Sequence, residues 1–176
     1  MIRELYENKL IKHNLFSLCL GSNAGYFSVG KINKTFHNVN SSIIYLNRNP
    51  NNFFYTVDLN RIDLNGSEIN TNYNTIIDSG TTYSLFPQEI YDSLISIFDS
   101  LLQKNNLPAT KTMVNDDYCF QLNHNSTKRK LYKSLPSFHF NFENKYSIPW
   151  KPKNYLVEQV DDVKGILYCL GFSILK

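Results

Sequence analysis

The sequence predicts a mainly β fold with one or two short helices, and three observations support this. Short apolar or alternating stretches are separated by clusters of Asn, Gly and Ser, which is the pattern of strands joined by turns. Only the segment after Pro87 shows a helical period over several turns. With 176 residues, 42% of them hydrophobic, the chain is long enough to bury a core of its own.

Composition excludes several classes of protein. The 12 Tyr and 12 Phe, with only 7 Gly, exclude a disordered or fibrous chain. A formal net charge of +3 is too small and too scattered to predict a nucleic-acid partner. No apolar run approaches the roughly 20 residues that a membrane helix requires, so we expect no membrane span in this segment.

The elements before Pro87 are predicted in chain order from their periods. Residues 1–13 fit a short amphipathic helix. Strands are then expected where apolar or alternating residues lie between turn-forming clusters, at 16–20, 26–29, 42–46, 53–64 and 76–77. Asn65-Gly66, directly after the longest of these strands, predicts a tight hairpin turn.

The elements from Pro87 onward include the main helix. Pro87 suits the first turn of a helix, and a wide apolar stripe follows it, which favours a helix packed on a sheet over a binding groove. The stripe consists of Ile90, Tyr91, Leu94, Ile95, Ile97, Phe98, Leu101 and Leu102. Further along, residues 138–142 alternate as a strand with three Phe side chains on one face.

Three cysteines leave two interpretations open. Cys19, Cys119 and Cys169 form no CxxC pair and have no His at a metal-ligand spacing, so we expect no metal site. They could be three buried thiols in a reducing compartment, or one disulfide plus a Cys whose partner lies outside this segment. Four Asn-x-Ser/Thr sequons, at Asn33, Asn40, Asn65 and Asn125, carry little weight in so Asn-rich a chain.

One local constellation carries chemistry, and Asp78 is its centre. Ile76-Ile77 lead into Asp78, hydroxyl residues flank the acid, and Gly80 allows a sharp turn with close backbone approach. A carboxylate held there by N–H and O–H donors would stay ionised near an apolar floor. Taken alone, Asp-Ser-Gly-Thr is also an ordinary turn sequence.

The longer pattern resembles the pepsin-like aspartic proteases. An apolar pair, Asp78-Ser79-Gly80-Thr81-Thr82, a second apolar pair and Pro87 opening a helix match the signature around a catalytic Asp of that family. Other segments follow in the family's order, from the Phe-Ser-x-x-Leu opening of the C-terminal lobe to its Leu-Pro, Pro-x-x-Tyr and Cys-containing segments. The resemblance covers nearly the whole chain but only half of the enzyme.

The resemblance implies a fold and a role for each residue of the motif. The fold would be a pepsin-like acid protease lobe of the double-psi β-barrel type. Asp78 would be one carboxylate of the catalytic dyad, Ser79 would hydrogen-bond across the lobe interface, and Gly80 would direct an N–H at the carboxylates. Thr81 would donate to the outer oxygen of Asp78, and Thr82 would lie near the substrate backbone.

The same resemblance implies a domain division and a cysteine pairing. Residues 1–13 would be an interlobe connector helix and 14–176 the C-terminal lobe, with the N-terminal lobe and the closing strand absent. Leu170-Gly171-Phe172 would be the strand before that closing strand. Within the family, the Trp-Lys-Pro and Tyr-Cys-Leu-Gly contexts look most like the nepenthesin and plasmepsin V branch of the aspartic proteases, the latter from apicomplexan parasites. In that branch, cysteines like Cys119 and Cys169 form a disulfide.

The function implied is that of one half of an aspartic endopeptidase. An aspartic protease needs two carboxylates sharing one proton, and no second Asp-Thr/Ser-Gly occurs in these residues, so the segment alone should be inactive. Its partners would be a peptide substrate and the N-terminal lobe, with no cofactor. The compartment would be the endoplasmic reticulum or a later part of the secretory pathway, with a membrane anchor elsewhere in the full-length protein as an option. The alternative is a non-catalytic peptide-binding or interaction module derived from such a lobe.

Competing chemistries fit less well. The trypsin-like Gly-Asp-Ser-Gly-Gly motif would need glycines where Ile77 and Thr81 stand, and a base His in a fitting context is missing. Residues 128–130 (Lys-Arg-Lys) fit a solvated loop before a strand better than an RNA-binding patch. The acidic pairs at 116–117 and 161–162 are expected to be surface turns, and His124 and His139 a loop and a strand residue.

Overall fold

A computed structural model describes residues 1–21, 23–33, 35, 43–49, 51–104 and 107–175. The chain is mainly β, as predicted, with 12 strands and four helices among the described residues. It divides into two compact units, Met1–Ile44 and Tyr45–Lys176. No helix in the described part of the chain is long and apolar enough to cross a membrane.

The first unit contains one short helix and one hairpin. Helix α1 spans Ile2–Glu7 and buries no residue. It is shorter than the helix predicted for residues 1–13, because Lys9 adopts a left-handed backbone conformation (φ 57°) that ends it. Strands β1 (Phe16–Leu20) and β2 (Gly25–Val29) pair antiparallel, close to the predicted bounds. Cys19 is exposed in β1, so of the two alternatives left open for the cysteines, a buried thiol at this position is wrong.

The second unit begins its first sheet with the predicted hairpin. Strands β3 (Thr56–Leu64) and β4 (Ser67–Ile76) meet at Asn65 and Gly66, whose φ angles of 50° and 85° suit a tight turn between twisted strands. Only the last residue of β4 lay in a predicted strand. The rest was missed because it is mostly polar, although Ile69 and Thr71 are buried at a spacing of two residues.

This sheet is completed by two later strands, with helix α2 (Gln88–Lys104) following the hairpin in sequence. Strands β8 (Phe138–Phe142) and β9 (Tyr146–Trp150) give the order β4-β3-β8-β9. The inner face of α2 presents Ile90, Leu94 and Phe98, all buried, so the predicted apolar stripe packs into the core. Phe98 stacks on Phe138 with ring centroids 6.0 Å apart.

A second sheet of four strands carries the disulfide. Strands β6 (Ala109–Val114), β7 (Asp117–Leu122), β10 (Leu156–Asp161) and β11 (Gly165–Leu170) lie in the order β10-β11-β7-β6. Cys119 and Cys169 lie directly opposite each other on β7 and β11 and are bonded, closing a separation of 50 residues. The pairing that the resemblance implied is therefore present. In the chain-entropy model such a loop closure stabilises the fold by about 4 kcal/mol.

A short parallel pair lies next to the Asp78 segment. Strand β12 (Phe172–Ile174) follows Gly171 and pairs with β5 (Ser84–Phe86), in the register Phe172 opposite Ser84. Leu170 ends β11, and Phe172 begins the strand that runs beside β5, the strand that leaves the Asp78 loop. The chain passes from β11 to β12, and so from one sheet to the next, through the single residue Gly171.

Two further expectations are wrong. Residues 43–46 have no strand structure, and Ser42, the first residue of that predicted strand, lies outside the described residues. Residues 128–130 begin helix α3 (Lys128–Ser134) and do not form a loop. The reasons are the side chain of Thr127, which caps the helix by accepting from the N–H of Lys130, and Leu131, which is fully buried. A last helix, α4 (Pro152–Tyr155), precedes β10.

Candidate active site

The loop from Ile77 to Tyr83 joins β4 to β5 and carries the predicted chemistry. It begins where the N–H of Ile77 donates to the carbonyl of Tyr55, 2.8 Å away, one residue beyond the last residue of β4. It ends where the N–H of Ser84 donates to the carbonyl of Gly171 at 3.0 Å. Both ends of the loop are therefore fixed by backbone hydrogen bonds to other segments.

Within the loop, two donors converge on the carboxylate of Asp78. The N–H of Gly80 donates to Oδ1 at 2.8 Å, and the hydroxyl of Thr81 donates to Oδ2. A β-carbon on residue 80 would lie 3.3 Å from Oδ1, a tight contact, so glycine permits the close approach. These are the two contacts that the resemblance implied, whereas the catalytic role of the residues stays a prediction.

The two donors shift the acidity of the carboxyl. The Thr81 hydroxyl, and after it the Gly80 N–H, lower the pKa of Asp78 below its ordinary value, because both bonds are strongest to the ionised form. The slight loss of solvent around the group acts in the opposite direction and is the smaller effect. Asp78 is therefore a carboxylate that resists protonation in this chain.

The surroundings of Asp78 differ from the buried strand end that the sequence suggested. Ile76 is 49% exposed, Ile77 is 55% exposed and Leu85 is 45% exposed. Ser79 and Thr82 are exposed as well, and their hydroxyls have no hydrogen-bond partner among the described residues. The roles implied for Ser79 and Thr82 both need a partner from outside this chain, so they stay predictions.

Side-chain contacts anchor the far end of the loop. The amide nitrogen of Gln159 on β10 donates to the hydroxyl of Tyr83 at 3.1 Å and to Oδ2 of Asp117 on β7, also at 3.1 Å. The sequence analysis missed Tyr83 and Gln159 and expected Asp117 in a surface turn. No local signal could have linked them, because Gln159 is 76 residues from Tyr83 and 42 from Asp117.

Metal ligands and cavities are the other features that could mark a site near the Asp78 loop. Among the described residues no group of three or more His, Cys, Asp or Glu is placed to hold a metal ion. An open groove of about 500 Å³ is lined by Glu68, Ile69, Asp92, Ser93, Ser96 and Ile97, none of them in the Asp78 loop. Asp78 itself is exposed on its loop.

Comparison with known families gives one match that covers most of the chain. The family described as "Xylanase inhibitor C-terminal" matches residues 54–175. The matched range includes β3, the Asp78 loop, α2 and both bonded cysteines.

Comparison with curated proteins finds aspartic proteinases. The chain is 28% identical over 168 residues to aspartic proteinase 39 of Arabidopsis thaliana, covering 90% of this chain and 31% of that protein. Aspartic proteinase 36 of the same plant is 28% identical over 170 residues, with the same coverage. Plasmepsin V of Plasmodium falciparum is 22% identical over 151 residues, covering 69% of this chain and 25% of that protein. The chain thus spans less than a third of the length of these relatives.

Proposed function

The chain belongs to the xylanase inhibitor C-terminal family, a lobe type of the pepsin-like aspartic proteases, and on that premise we propose that it is the C-terminal lobe of an aspartic endopeptidase. Asp78 would supply one carboxylate of the dyad. The observation that carries the proposal is the pair of donors, the Gly80 N–H and the Thr81 hydroxyl, that orient the Asp78 carboxylate on an exposed loop. The named aspartic proteinase relatives support the same function.

The reaction we propose is hydrolysis of a peptide bond through a bound water. An ionised carboxylate takes a proton from the water as its oxygen attacks the carbonyl carbon, while a protonated carboxyl gives its proton to the carbonyl oxygen. As the tetrahedral intermediate collapses and the C–N bond breaks, the carboxyl that took the proton from the water gives it to the departing nitrogen. A hydroxyl of the intermediate returns a proton to the other carboxylate as the carbonyl re-forms. Two carboxyl groups must therefore share one proton between them.

Asp78 fits the ionised member of this pair. Its two donors lower its pKa, so when a second carboxyl approaches, the shared proton is better accommodated on that partner. We assign Asp78 the role of general base in the attack step. Ser79 and Thr82, which are exposed without partners among the described residues, would contact the second lobe and the substrate backbone, respectively.

The second carboxyl is proposed to come from an N-terminal lobe of the same protein. The chain corresponds to 31% of the length of the Arabidopsis relatives, which leaves room for such a lobe in the full-length protein. The exposed Ile76, Ile77 and Leu85 around the loop would be covered by that lobe or by a peptide substrate. The lobe alone should therefore be inactive.

The compartment and the branch of the family are narrower proposals. The disulfide between Cys119 and Cys169 supports an oxidising compartment of the secretory pathway, since such bonds are rare in the reducing cytosol. The same bond supports the nepenthesin and plasmepsin V branch, although the Arabidopsis proteinases share a larger fraction of positions than plasmepsin V does.

The test uses the full-length protein and its Asp78→Asn variant with a peptide substrate. Asn keeps the size of the side chain but can neither ionise nor accept a proton in this way, so we expect cleavage to fall by roughly 10²–10⁴-fold or more. Asp161→Asn is the matched control, because it alters a second carboxylate that is also held by turn donors. That control should retain wild-type activity.

Three results would contradict the proposal or a part of it. One is cleavage by the full-length Asp78→Asn variant at the wild-type rate. A second is a folded full-length protein that cleaves no peptide at any acidic or neutral pH, which would instead favour the non-catalytic module. Activity of the 176-residue chain alone, blocked by a pepstatin-type inhibitor, would contradict the need for a second lobe unless the chain had dimerised.

A further inference from the structure

The loop that carries Asp78 is joined by one side chain to the disulfide-linked sheet, and that side chain is Gln159. It lies on β10, opposite Leu167 of β11. Its amide nitrogen donates one hydrogen bond to Tyr83, the residue after Thr82, and one to Asp117 at the start of β7. All three side chains are half-buried. One amide group therefore connects β10, β7 and the end of the loop.

The chemistry of the three groups fixes the direction of these bonds. The carboxylate of Asp117 can only accept, so the nitrogen end of the Gln159 amide must face it. An amide nitrogen has two hydrogens, and the second is then directed at the Tyr83 oxygen. Gln159 thus has a single orientation that satisfies both partners, and the acceptor Asp117 holds it in that orientation.

The disulfide lies close in sequence to both points that hold the end of the loop. Asp117 is two residues from Cys119, and Gly171, whose carbonyl accepts from Ser84, is two residues from Cys169. The end of the loop is therefore bonded twice, by the backbone of Ser84 to Gly171, which directly follows β11, and by the side chain of Tyr83 to Gln159 on β10. The backbone bond cannot be removed by exchanging a side chain, whereas the Gln159 bond can.

We propose that Gln159 is a positioning residue for Asp78, acting through Tyr83. This inference rests on the proposed function, because it concerns the geometry of the same carboxylate. Among the described residues, Gln159 forms no hydrogen bond to Asp78 itself. It holds the end of the loop, so that the hydroxyl of Thr81 and the N–H of Gly80 keep their aim at the two carboxylate oxygens.

The experiment compares Gln159→Leu, Tyr83→Phe and the double variant in the full-length protein. Leu has nearly the size of Gln but cannot donate, so Asp117 and Tyr83 lose their common partner. We expect kcat to fall roughly 3- to 10-fold, the worth of one ordinary hydrogen bond, with a smaller change in KM. Because both single substitutions remove the same bond, the double variant should be little worse than either one.

Gln121→Leu is the matched control. Gln121 is also half-buried in this sheet, and its amide nitrogen donates to the carbonyl of Lys164 at 2.8 Å, away from the loop. This variant loses a comparable bond and a comparable amount of stability but should leave kcat unchanged. Equal falls of kcat in Gln121→Leu and Gln159→Leu, or additive effects of Gln159→Leu and Tyr83→Phe, would overturn the proposal.

A second measurement keeps this test separate from the proposed function. In the 176-residue chain, the NMR signal of the Gly80 amide reports its bond to Asp78 and needs no activity. We expect this signal to shift in Gln159→Leu and to stay in place in Gln121→Leu. An unchanged Gly80 signal in Gln159→Leu would overturn the positioning role even if the full-length protein is a protease. A shifted signal in an inactive full-length protein would instead retain the positioning role and contradict the proposed function.

Discussion

Two turns of this molecule hold an aspartate in nearly the same way, and only one of them resembles an active site. Asp78 accepts from the Gly80 N–H and the Thr81 hydroxyl, whereas Asp161, at the end of β10, accepts from the N–H groups of Val163 and Lys164. In both turns these bonds lower the pKa of the carboxyl; at Asp161 the Lys164 N–H has the largest effect. A lowered pKa is therefore a property of the turn and does not by itself identify a catalytic group.

The difference lies in how many of the two carboxylate oxygens accept a hydrogen bond. At Asp78 each of the two oxygens accepts one donor, which fixes the plane of the carboxylate. At Asp161 both donors share Oδ1. Exposed apolar side chains flank both turns, Ile76 and Ile77 before Asp78 and Val160 and Val163 around Asp161, so an apolar surrounding does not separate them. What distinguishes Asp78 is therefore the donor on each of its two oxygens, which orients the carboxylate as a catalytic role would require.

The largest expected effect on stability comes from the disulfide. It joins β7 to β11, in the same sheet whose strands β10 and β11 are connected by the Asp161 turn. Replacing Cys119 and Cys169 together by Ala should lower the free energy of unfolding by about 4 kcal/mol, because the unfolded chain regains the entropy of the open loop. Urea denaturation measures the loss. Cys19→Ser is the control, since Cys19 is exposed and free, and it should change stability by less than about 0.5 kcal/mol. Equal effects in the two variants would contradict a stabilising role of the bond.

A smaller effect on stability is expected when the glycines of the two turns are replaced by Ala. Gly165, which ends the Asp161 turn, has a φ angle of 77° with open space around it, so Gly165→Ala should cost about 1–2 kcal/mol of backbone strain. Gly80 has no such angle, and its replacement by Ala brings a β-carbon within 3.3 Å of Asp78 Oδ1. Gly80→Ala should therefore move the Asp78 carboxylate, whereas its cost in the free energy of unfolding should be smaller than that of Gly165→Ala.

The check is a pair of measurements on both variants. Thermal or urea unfolding gives the change in stability, and NMR of the Asp78 side chain gives the change at the carboxylate. If Gly80→Ala proved the more destabilising of the two, the strain assigned to Gly165 would be wrong.

The next effect concerns the acidity of Asp78 alone. Thr81→Val keeps the shape of the side chain but removes the hydroxyl, the largest of the causes that lower the pKa of Asp78. We expect the pKa of Asp78 to rise toward its ordinary value while that of Asp161, whose donors are untouched, stays where it is. Titration of the carboxyl carbons by NMR measures both groups in one sample. A pKa of Asp78 unchanged in Thr81→Val would show that Gly80 alone holds the charge.

The smallest expected effect is on the pH dependence of stability. A carboxyl whose pKa is lower in the folded than in the unfolded state stabilises the fold above its unfolded pKa, and this contribution is lost as the pH falls through the folded pKa. Asp78→Asn and Asp161→Asn should therefore each weaken the loss of stability below about pH 4. Urea midpoints at neutral and acidic pH measure this loss. If either variant lost more stability than the wild type between neutral and acidic pH, the predicted direction would be wrong.

Local patterns predicted most of the elements near these turns. A few neighbouring residues were enough to predict three of them: the alternating Phe residues of β8, the apolar stripe of α2 and the Asn65-Gly66 turn. The strand β4 was missed because it is mostly polar and is held by its pairing with β3. The hairpin of β6 and β7 was missed although Tyr118, Cys119 and Phe120 of β7 are buried, because three apolar residues in a row do not by themselves distinguish a strand from a helix. The run of charges at the start of α3 predicts a loop. A helix forms there instead, because the Thr127 cap and the buried Leu131 stabilise it.

The sequence by itself determined the chemistry of the site: Asp78, the glycine that lets an N–H approach it and the hydroxyl that donates to it lie within four consecutive positions. The pairing of Cys119 with Cys169 came from resemblance alone, and the tertiary structure places the two opposite each other on neighbouring strands. Only the tertiary structure decided how the loop is supported, because Tyr83, Asp117 and Gln159 are brought together by strands from distant parts of the chain. It also decided that Ile76 and Ile77 are exposed. A turn is specified by neighbours in sequence, whereas burial and support depend on what the folded chain brings alongside.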